Sequence, residues 1–320
     1  MSAPMLRPLA IYLLLQLSTG YAPAQLHWKR IDSAYGPLPS SMHVYRSADS
    51  LDGFPSIAYY VTARLKDRRL QFTTATGQGK RFTPDQYYQL EQSPYLVVNC
   101  AYFSGNQNLS LVVQDGRMLA YNVTSLRGTG IDSQLYYYPT RGAIGIDHKR
   151  RADIAWTFTD SSRRWPYAFE EMPVIAKGAD TVPSIYDLND IEWKWWKMRT
   201  AVGGGPVLIH DGKIKITERE EQLYPDSRRD GEHAPRTAMG YTRDGRLIVL
   251  VIQGRTPGVA AGASLQQEAE ILLGLGCFEA LNLDGGGSSC LLVNGKETIR
   301  PSDREGQRAV PAVFVIQPRH

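Results

Sequence analysis

The chain has 320 residues, of which 42% are hydrophobic and 21% charged, with a net charge of +4. That length allows one large domain or two ordinary ones, either able to bury a sizeable core, and the composition excludes a disordered chain. The charge is mild and no basic block exceeds Lys149-Arg150-Arg151, which argues against a nucleic-acid partner and leaves a modest lean toward anionic ligands.

At the N-terminus, Arg7 precedes an apolar run at 9–17 and the small residues Ala22-Pro23-Ala24. The run is too short to span a bilayer, and the order of charge, apolar stretch and small residues predicts a leader over 1–24. An exported protein, periplasmic or secreted, is expected, and no later stretch is apolar for long enough to be a transmembrane helix. Three cysteines follow, Cys100, Cys277 and Cys290. The odd count leaves at least one thiol free, with a Cys100–Cys290 bridge as the alternative if their loops are neighbours. No C-x-x-C occurs and the six histidines are scattered, so metal-ligand spacing is absent.

In chain order, 25–50 reads as a lead-in strand. IAYYVTARL (57–65) reads as a strand and LQFTTATG (70–77) as its hairpin partner. Thr83-Pro84-Asp85-Gln86 is a capping box with proline at the first helical position, which predicts a helix through Tyr87, Tyr88 and Leu90. A short buried strand then ends at Asn99. SLVVQDGRML predicts a type I′ turn at Asp115-Gly116. The same construction returns at Asp211-Gly212, after Gly203, Gly204 and Gly205, and at Asn294-Gly295, after Gly285, Gly286 and Gly287.

A longer echo aligns Arg141-Gly-Ala-Ile-Gly-Ile with Arg236-Thr-Ala-Met-Gly-Tyr at a constant offset of 95 residues. It predicts a pseudo-duplicated core, hence one domain over 25–320. The expected fold class is α+β, a single β-rich domain of mixed, mainly antiparallel strands with a few packed helices. The tryptophan- and tyrosine-rich stretch at 163–199 reads as core or lid packing, with a sugar-stacking surface as the weaker alternative. A second capping box, Ser264 with Gln267, opens a helix whose Leu265, Ala269, Leu272 and Leu273 share a face and which Gly276 stops.

That helix delivers the chain into ALNLDGGGSS at 280–289. An apolar strand stops at one carboxylate, Asp284, followed by three glycines that let backbone approach a ligand closely. Arg236 and Arg255 bracket a predicted hairpin, and arginine's planar fork binds phosphate bidentately. Glu268 and Glu279 are near in sequence, with nothing to place either in a pocket.

NLDGGGSS, APRTAMG (234–240), AVGGGPVLIHDGK (201–213) and VVNCAYF (97–103), in this order and helix-strand context, resemble the phosphodiester glycosidase family over roughly residues 95–315. The resemblance implies hydrolysis of a sugar joined through its anomeric carbon to a phosphodiester. The chemistry suits a site poor in carboxylates. Ordinary glycosidases need an acid to protonate a poor leaving group, whereas a phosphate ester already leaves well, its second ionisation having a pKa of about 6.

On that basis Asp284 is the general base or oxocarbenium stabiliser, Arg236 and Arg255 the phosphate clamp, and Asn99 a hydrogen-bond partner of the substrate. Ser288, Ser289 and Tyr102 complete the binding set, with the backbones of Gly203, Gly204, Gly205, Gly285, Gly286 and Gly287 shaping the pocket. No cofactor is required, although Asp284 with nearby carbonyls is compatible with a hard cation, Ca²⁺ or Mg²⁺. The sequence leaves the oligomeric state open. Two positions depart from the family pattern: Gln253 where an aspartate is usual, and Asn99-Cys-Ala-Tyr-Phe103 where N-G-G-x-F is common. A lost carboxylate favours the alternative reading, a non-catalytic envelope protein that binds anionic glycans. No G-x-x-x-x-G-K-[ST] occurs, which argues against a phosphate-loop nucleotide enzyme.

Overall fold

The structure is a computed structural model and describes residues 26–128, 133–173, 176–178, 192–223 and 232–319. The expected leader over 1–24 lies outside them. Strands β1 (Met42–Ser47), β2 (Ile57–Arg64) and β3 (Leu70–Thr76) come first. Helix α1 (Pro84–Leu90) starts at the expected capping box: the Gln86 N–H donates to Thr83 Oγ1, and the Thr83 N–H donates back to the Gln86 side chain. Next come β4 (Leu96–Asn99), β5 (Val112–Gln114), β6 (Arg117–Ala120), β7 (Arg141–Asp147) and β8 (Ala152–Phe158). β9 (Met198–Gly203), β10 (Val207–His210), β11 (Arg236–Thr242) and β12 (Arg246–Gln253) follow. Helix α2 (Leu265–Gly274) opens on Ser264 and Gln267, again bonded reciprocally. Gly276, at φ +83°, ends it in the left-handed conformation that a residue without Cβ adopts freely. The chain closes with β13 (Cys277–Asn282), β14 (Leu291–Val293) and β15 (Ala312–Pro318).

Three sheets carry the core. An eight-stranded sheet orders β1-β2-β12-β11-β13-β10 between two-residue edge strands, a seven-stranded sheet orders β6-β5-β9-β7-β8 and then the short strands Tyr167–Phe169 and Trp193–Trp195, and a five-stranded sheet orders β14-β4-β15-β3 with the short strand Lys296–Glu297 outside β14. Among the described residues these pairings are all antiparallel. Strand β12 shows why its sequence, RLIVLVIQ, is apolar without alternation. Leu247, Val249 and Val251 enter the cluster shared by the three sheets, while Ile248, Leu250 and Ile252 enter the cluster under α2. Both faces are covered, so both must be apolar.

The three expected hairpin turns form, with positive φ at both central residues of Asp115-Gly116, Asp211-Gly212 and Asn294-Gly295, as type I′ requires. The expected hairpin between β2 and β3 does not. β2 pairs with β1 and β12, and β3 pairs with β15 in another sheet. The link at 65–69 coils instead, with the Leu70 N–H on the Asp67 carbonyl. Arg150 fastens it by donating to the carbonyls of Leu65, Asp67 and Leu70. Local alternation marks strands; it does not choose their partners.

The β-rich part of the expected fold class stands, with two short α-helices among the described residues. The hairpins starting at Arg141 and Arg236 lie in different sheets. Each first strand takes a second antiparallel partner, β9 beside β7 and β13 beside β11, and that third strand of each set runs into a triple-glycine loop. Cys100, Cys277 and Cys290 are free and buried. Cys100 packs in the cluster shared by the sheets and Cys290 in the one under α1, so the two point to different layers and do not bridge. Of the aromatic stretch, Tyr167, Phe169 and Trp196 are core, while Trp195 is exposed; residues 179–191 of that stretch lie outside the described residues.

Candidate active site

Four strand ends meet on one side of the sheets. β13 leads to Asp284, β4 to Tyr102, β9 to Gly205, and the open end of the β11–β12 hairpin carries Arg236 and Arg255. Backbone hydrogen bonds staple them together: Asp284 N–H to Cys100 O at 2.9 Å, Leu283 N–H to Thr237 O at 2.8 Å, Gly286 N–H to Pro235 O at 2.8 Å and Gly205 N–H to Asn282 O at 2.8 Å. The result is a cavity of about 370 Å³ lined by Asp284, Arg236, Arg255, Tyr102, Gly285 and Gly286 among others.

The glycines are needed where they stand, for separate reasons. A Cβ on Gly204 would lie 2.3 Å from Asn282 O, so β9 and β13 close up only without one. Gly286, at φ +60°, lies beneath Arg255, whose Nη1 would be 3.2 Å from an added Cβ. A Cβ on Gly287 would lie 2.0 Å from Arg308 Nη2. The loop therefore has no side chains where two guanidiniums cross it.

Several expected contacts turn out to be supports. Asn99 is fully buried and outside the cavity wall: its Nδ2 donates to Asp284 O at 2.5 Å, and its Oδ1 accepts from Thr237 Oγ1 and the Cys290 N–H, each at 3.0 Å. Ser289 is buried with its hydroxyl 3.1 Å from that of Thr237. Ser288 is buried and accepts a long bond, 3.4 Å, from Arg308. Gly203 packs against Leu111. Gly205 places its carbonyl where Tyr102 Oη donates at 2.8 Å and Asn282 Nδ2 at 2.7 Å. These residues position Asp284 and Tyr102, which do line the cavity.

Arg236 spends Nε on Ala263 O at 2.8 Å and Nη2 on Glu232 O at 3.0 Å, which fixes its guanidinium at the wall. Sequence reasoning missed Arg308, a third cavity arginine, held by both oxygens of Asp303 at 2.8 and 2.9 Å. It also missed Asn282, Glu218 and Glu232, which share the lining. The tripeptide Asn282-Leu283-Asp284 was a signal for Asn282, because residues two apart on a strand face the same way. Gln253 is buried away from the cavity wall, and its Oε1 accepts from the Arg300 N–H at 3.0 Å. Its missing carboxylate is therefore not missing from the site. Glu268 and Glu279 also lie off the wall. Glu268 is fully buried on α2, where burial pushes its carboxyl up to about 8 against the pull of Arg236. Among the described residues no group of three or more His, Cys, Asp or Glu side chains is arranged to hold a metal ion.

The cavity gathers three arginines around a strand-end aspartate. Residues 168–317 match the phosphodiester glycosidase family. The bovine N-acetylglucosamine-1-phosphodiester alpha-N-acetylglucosaminidase is 33% identical over 126 residues, which cover 35% of this chain and 24% of the relative. The chain thus spans about a quarter of that curated relative's length. Among solved structures, the catalytic domain of the zebrafish enzyme of that name superposes with a TM-score of 0.55 at 19% identity, covering 87% of this chain and 82% of that one. A hypothetical protein from Synechocystis superposes at 0.65 with 16% identity, covering 92% and 64%. The sequence resemblance to phosphodiester glycosidases is borne out, and the two superpositions show that the fold is shared.

Proposed function

We propose that the protein hydrolyses the glycosidic bond of a sugar 1-phosphodiester. The observation that carries this reading is the convergence of Arg236, Arg255 and Asp284 on one cavity, since an anion clamp beside a strand-end carboxylate is what the reaction requires. In the reaction a water oxygen bonds to the anomeric carbon while the bond from that carbon to the phosphate oxygen breaks. The electron pair leaves with the phosphate monoester, and Asp284 takes the proton of the water or stabilises the developing oxocarbenium ion. Arg236 and Arg255 bind the departing phosphate. Because that group leaves without acid assistance, no second carboxylate and no cofactor enters the scheme. The bovine relative's name suggests N-acetylglucosamine as the sugar to try first. The leader reading at 1–24 supports export, periplasmic or secreted, with a glycan or cell-envelope substrate. The matching three-strand arrangements around β7 and β11 support a pseudo-duplicated core that brings the two glycine loops to one cleft.

The test is sugar release from N-acetylglucosamine 1-(methyl phosphate). Free sugar and methyl phosphate are expected, with turnover of Asp284→Asn lower by several orders of magnitude at an unchanged melting temperature. Tight binding with no release in either protein would reject hydrolysis in favour of anionic-glycan binding.

A further inference from the structure

We infer a second anion site, for a phosphate-class oxyanion, near the opposite end of β9, one of the strands that build the first. Arg150, Arg199 and Arg319 line a separate cavity of about 260 Å³ together with His148, Thr200 and Gln71. Strand β9 links the two places: Thr200 stands in this cavity and Gly204, just past the strand's other end, backs the first. At about 3.3 Å per residue they are about 13 Å apart. The three arginines come from segments up to 169 residues apart in sequence, which is why no basic block announces them.

Three guanidiniums face a single carboxylate on this wall, Asp147, and it is already held by Arg151 through Nη2 at 2.7 Å and Nε at 2.8 Å. Among the described residues neither Arg150 nor Arg319 has a carboxylate within ion-pair distance, and Arg199 has only the exposed Asp115 at 3.0 Å. Arg150 is locked in place. Its Nε donates to Leu65 O at 2.5 Å and its Nη2 to Asp67 O and Leu70 O, both at 2.7 Å. Its backbone is at φ +62°, a conformation unfavourable for a residue that carries a side chain. Burial first, then repulsion from Arg319, lowers its pKa; Asp67 pulls it back up, and Arg199 and Arg68 add to the repulsion. A fold that holds like charges together around a cavity stores repulsion that an oxyanion relieves, and several planar forks match phosphate oxygens.

The experiment titrates the full chain with inorganic phosphate by calorimetry at low, matched ionic strength. Arg236→Ala/Arg255→Ala removes the clamp of the first cavity, and phosphate binding is expected to persist in it. Arg199→Gln/Arg319→Gln, on two exposed side chains, is expected to weaken binding at this second site by about tenfold or more, the equivalent of one charge-assisted bond, with hydrolysis unchanged. Binding that disappears with the first double variant, or is untouched by the second, overturns the site. Neither result depends on whether the first cavity hydrolyses anything. A parallel titration with glucose 1-phosphate distinguishes the sources: tighter binding than inorganic phosphate marks a glycan-borne phosphoryl group, and equal binding marks the free ion.

Discussion

What an arginine does at this cavity depends on what else it bonds. Arg236 holds two backbone carbonyls and Arg308 is pinned by Asp303, whereas Arg255 lies over Gly286, where no side chain intervenes. Arg255→Ala is therefore expected to cut kcat/KM on a sugar phosphodiester by about 10–100-fold, the equivalent of one charge-assisted bond, while a neutral aryl glycoside of the same sugar keeps its rate to within about twofold. Equal losses on both substrates would make Arg255 a structural residue. Arg236→Ala should in addition destabilise the protein by about 1 kcal/mol or more, because two carbonyls lose their donors. Arg236 and Arg255 were legible in the sequence because they end an amphipathic hairpin beside recognisable motifs. Arg308 was not, because its place is set by Asp303 in a segment without periodicity. Asn99 was legible as a strand end, but the direction of its side chain, into the staple and away from the cavity, depends on a contact with Asp284 that lies 185 residues along the chain.

At the scale of elements, the site is a junction of loops, and its rigidity comes from how closely their strands approach. Gly204→Ala places a methyl group 2.3 Å from the backbone oxygen of Asn282, and backbone on both sides cannot yield as a flexible side chain would. A loss of about 1–3 kcal/mol in urea unfolding is expected, with activity falling as Asp284 is displaced. Gly274, at the end of α2, has nothing within 4 Å of an added Cβ, and Gly274→Ala is expected to stabilise by about 0.5–1 kcal/mol. Equal stability changes at the two positions would show that β9 and β13 are not held by that approach. Both helices, their caps and the three type I′ turns were legible because each is decided within about four residues. The pairing of β2 and β3 with strands far along the chain was not, since partner choice rests on which faces the whole core covers. The face of α2 was legible only in part: Ala269 and Leu272 are buried as expected, but Leu273 is exposed and Ile271 and Glu268 are buried.

For the whole molecule, Glu268 links stability to pH. It lies fully buried among the α2 contacts, and among the described residues neither carboxylate oxygen has a hydrogen-bond partner. Burial, the larger influence, raises its pKa from 4.5 to about 8, with Arg236 pulling it down. A group whose pKa is higher folded than unfolded contributes stability that is fully present below the unfolded value and is lost as pH rises through the folded one. Its contribution should therefore drain away between about pH 4.5 and pH 8, by an amount on the order of a few kcal/mol. Burial also raises Glu221 and Glu279, so the wild-type protein should lose stability with rising pH even without Glu268. The Glu268→Gln variant isolates one share of that loss, because the amide has nearly the same shape and does not ionise. Urea unfolding at pH 5 and pH 9 gives the comparison. The buried amide adds an offset that is the same at both pH values, while the variant is expected to gain on the wild type by a few kcal/mol between them. A constant gap from pH 5 to pH 9 would mean that the folded protein leaves the Glu268 carboxyl at its unfolded pKa, and the reading of Glu268 as a carboxyl raised by burial would have to be abandoned.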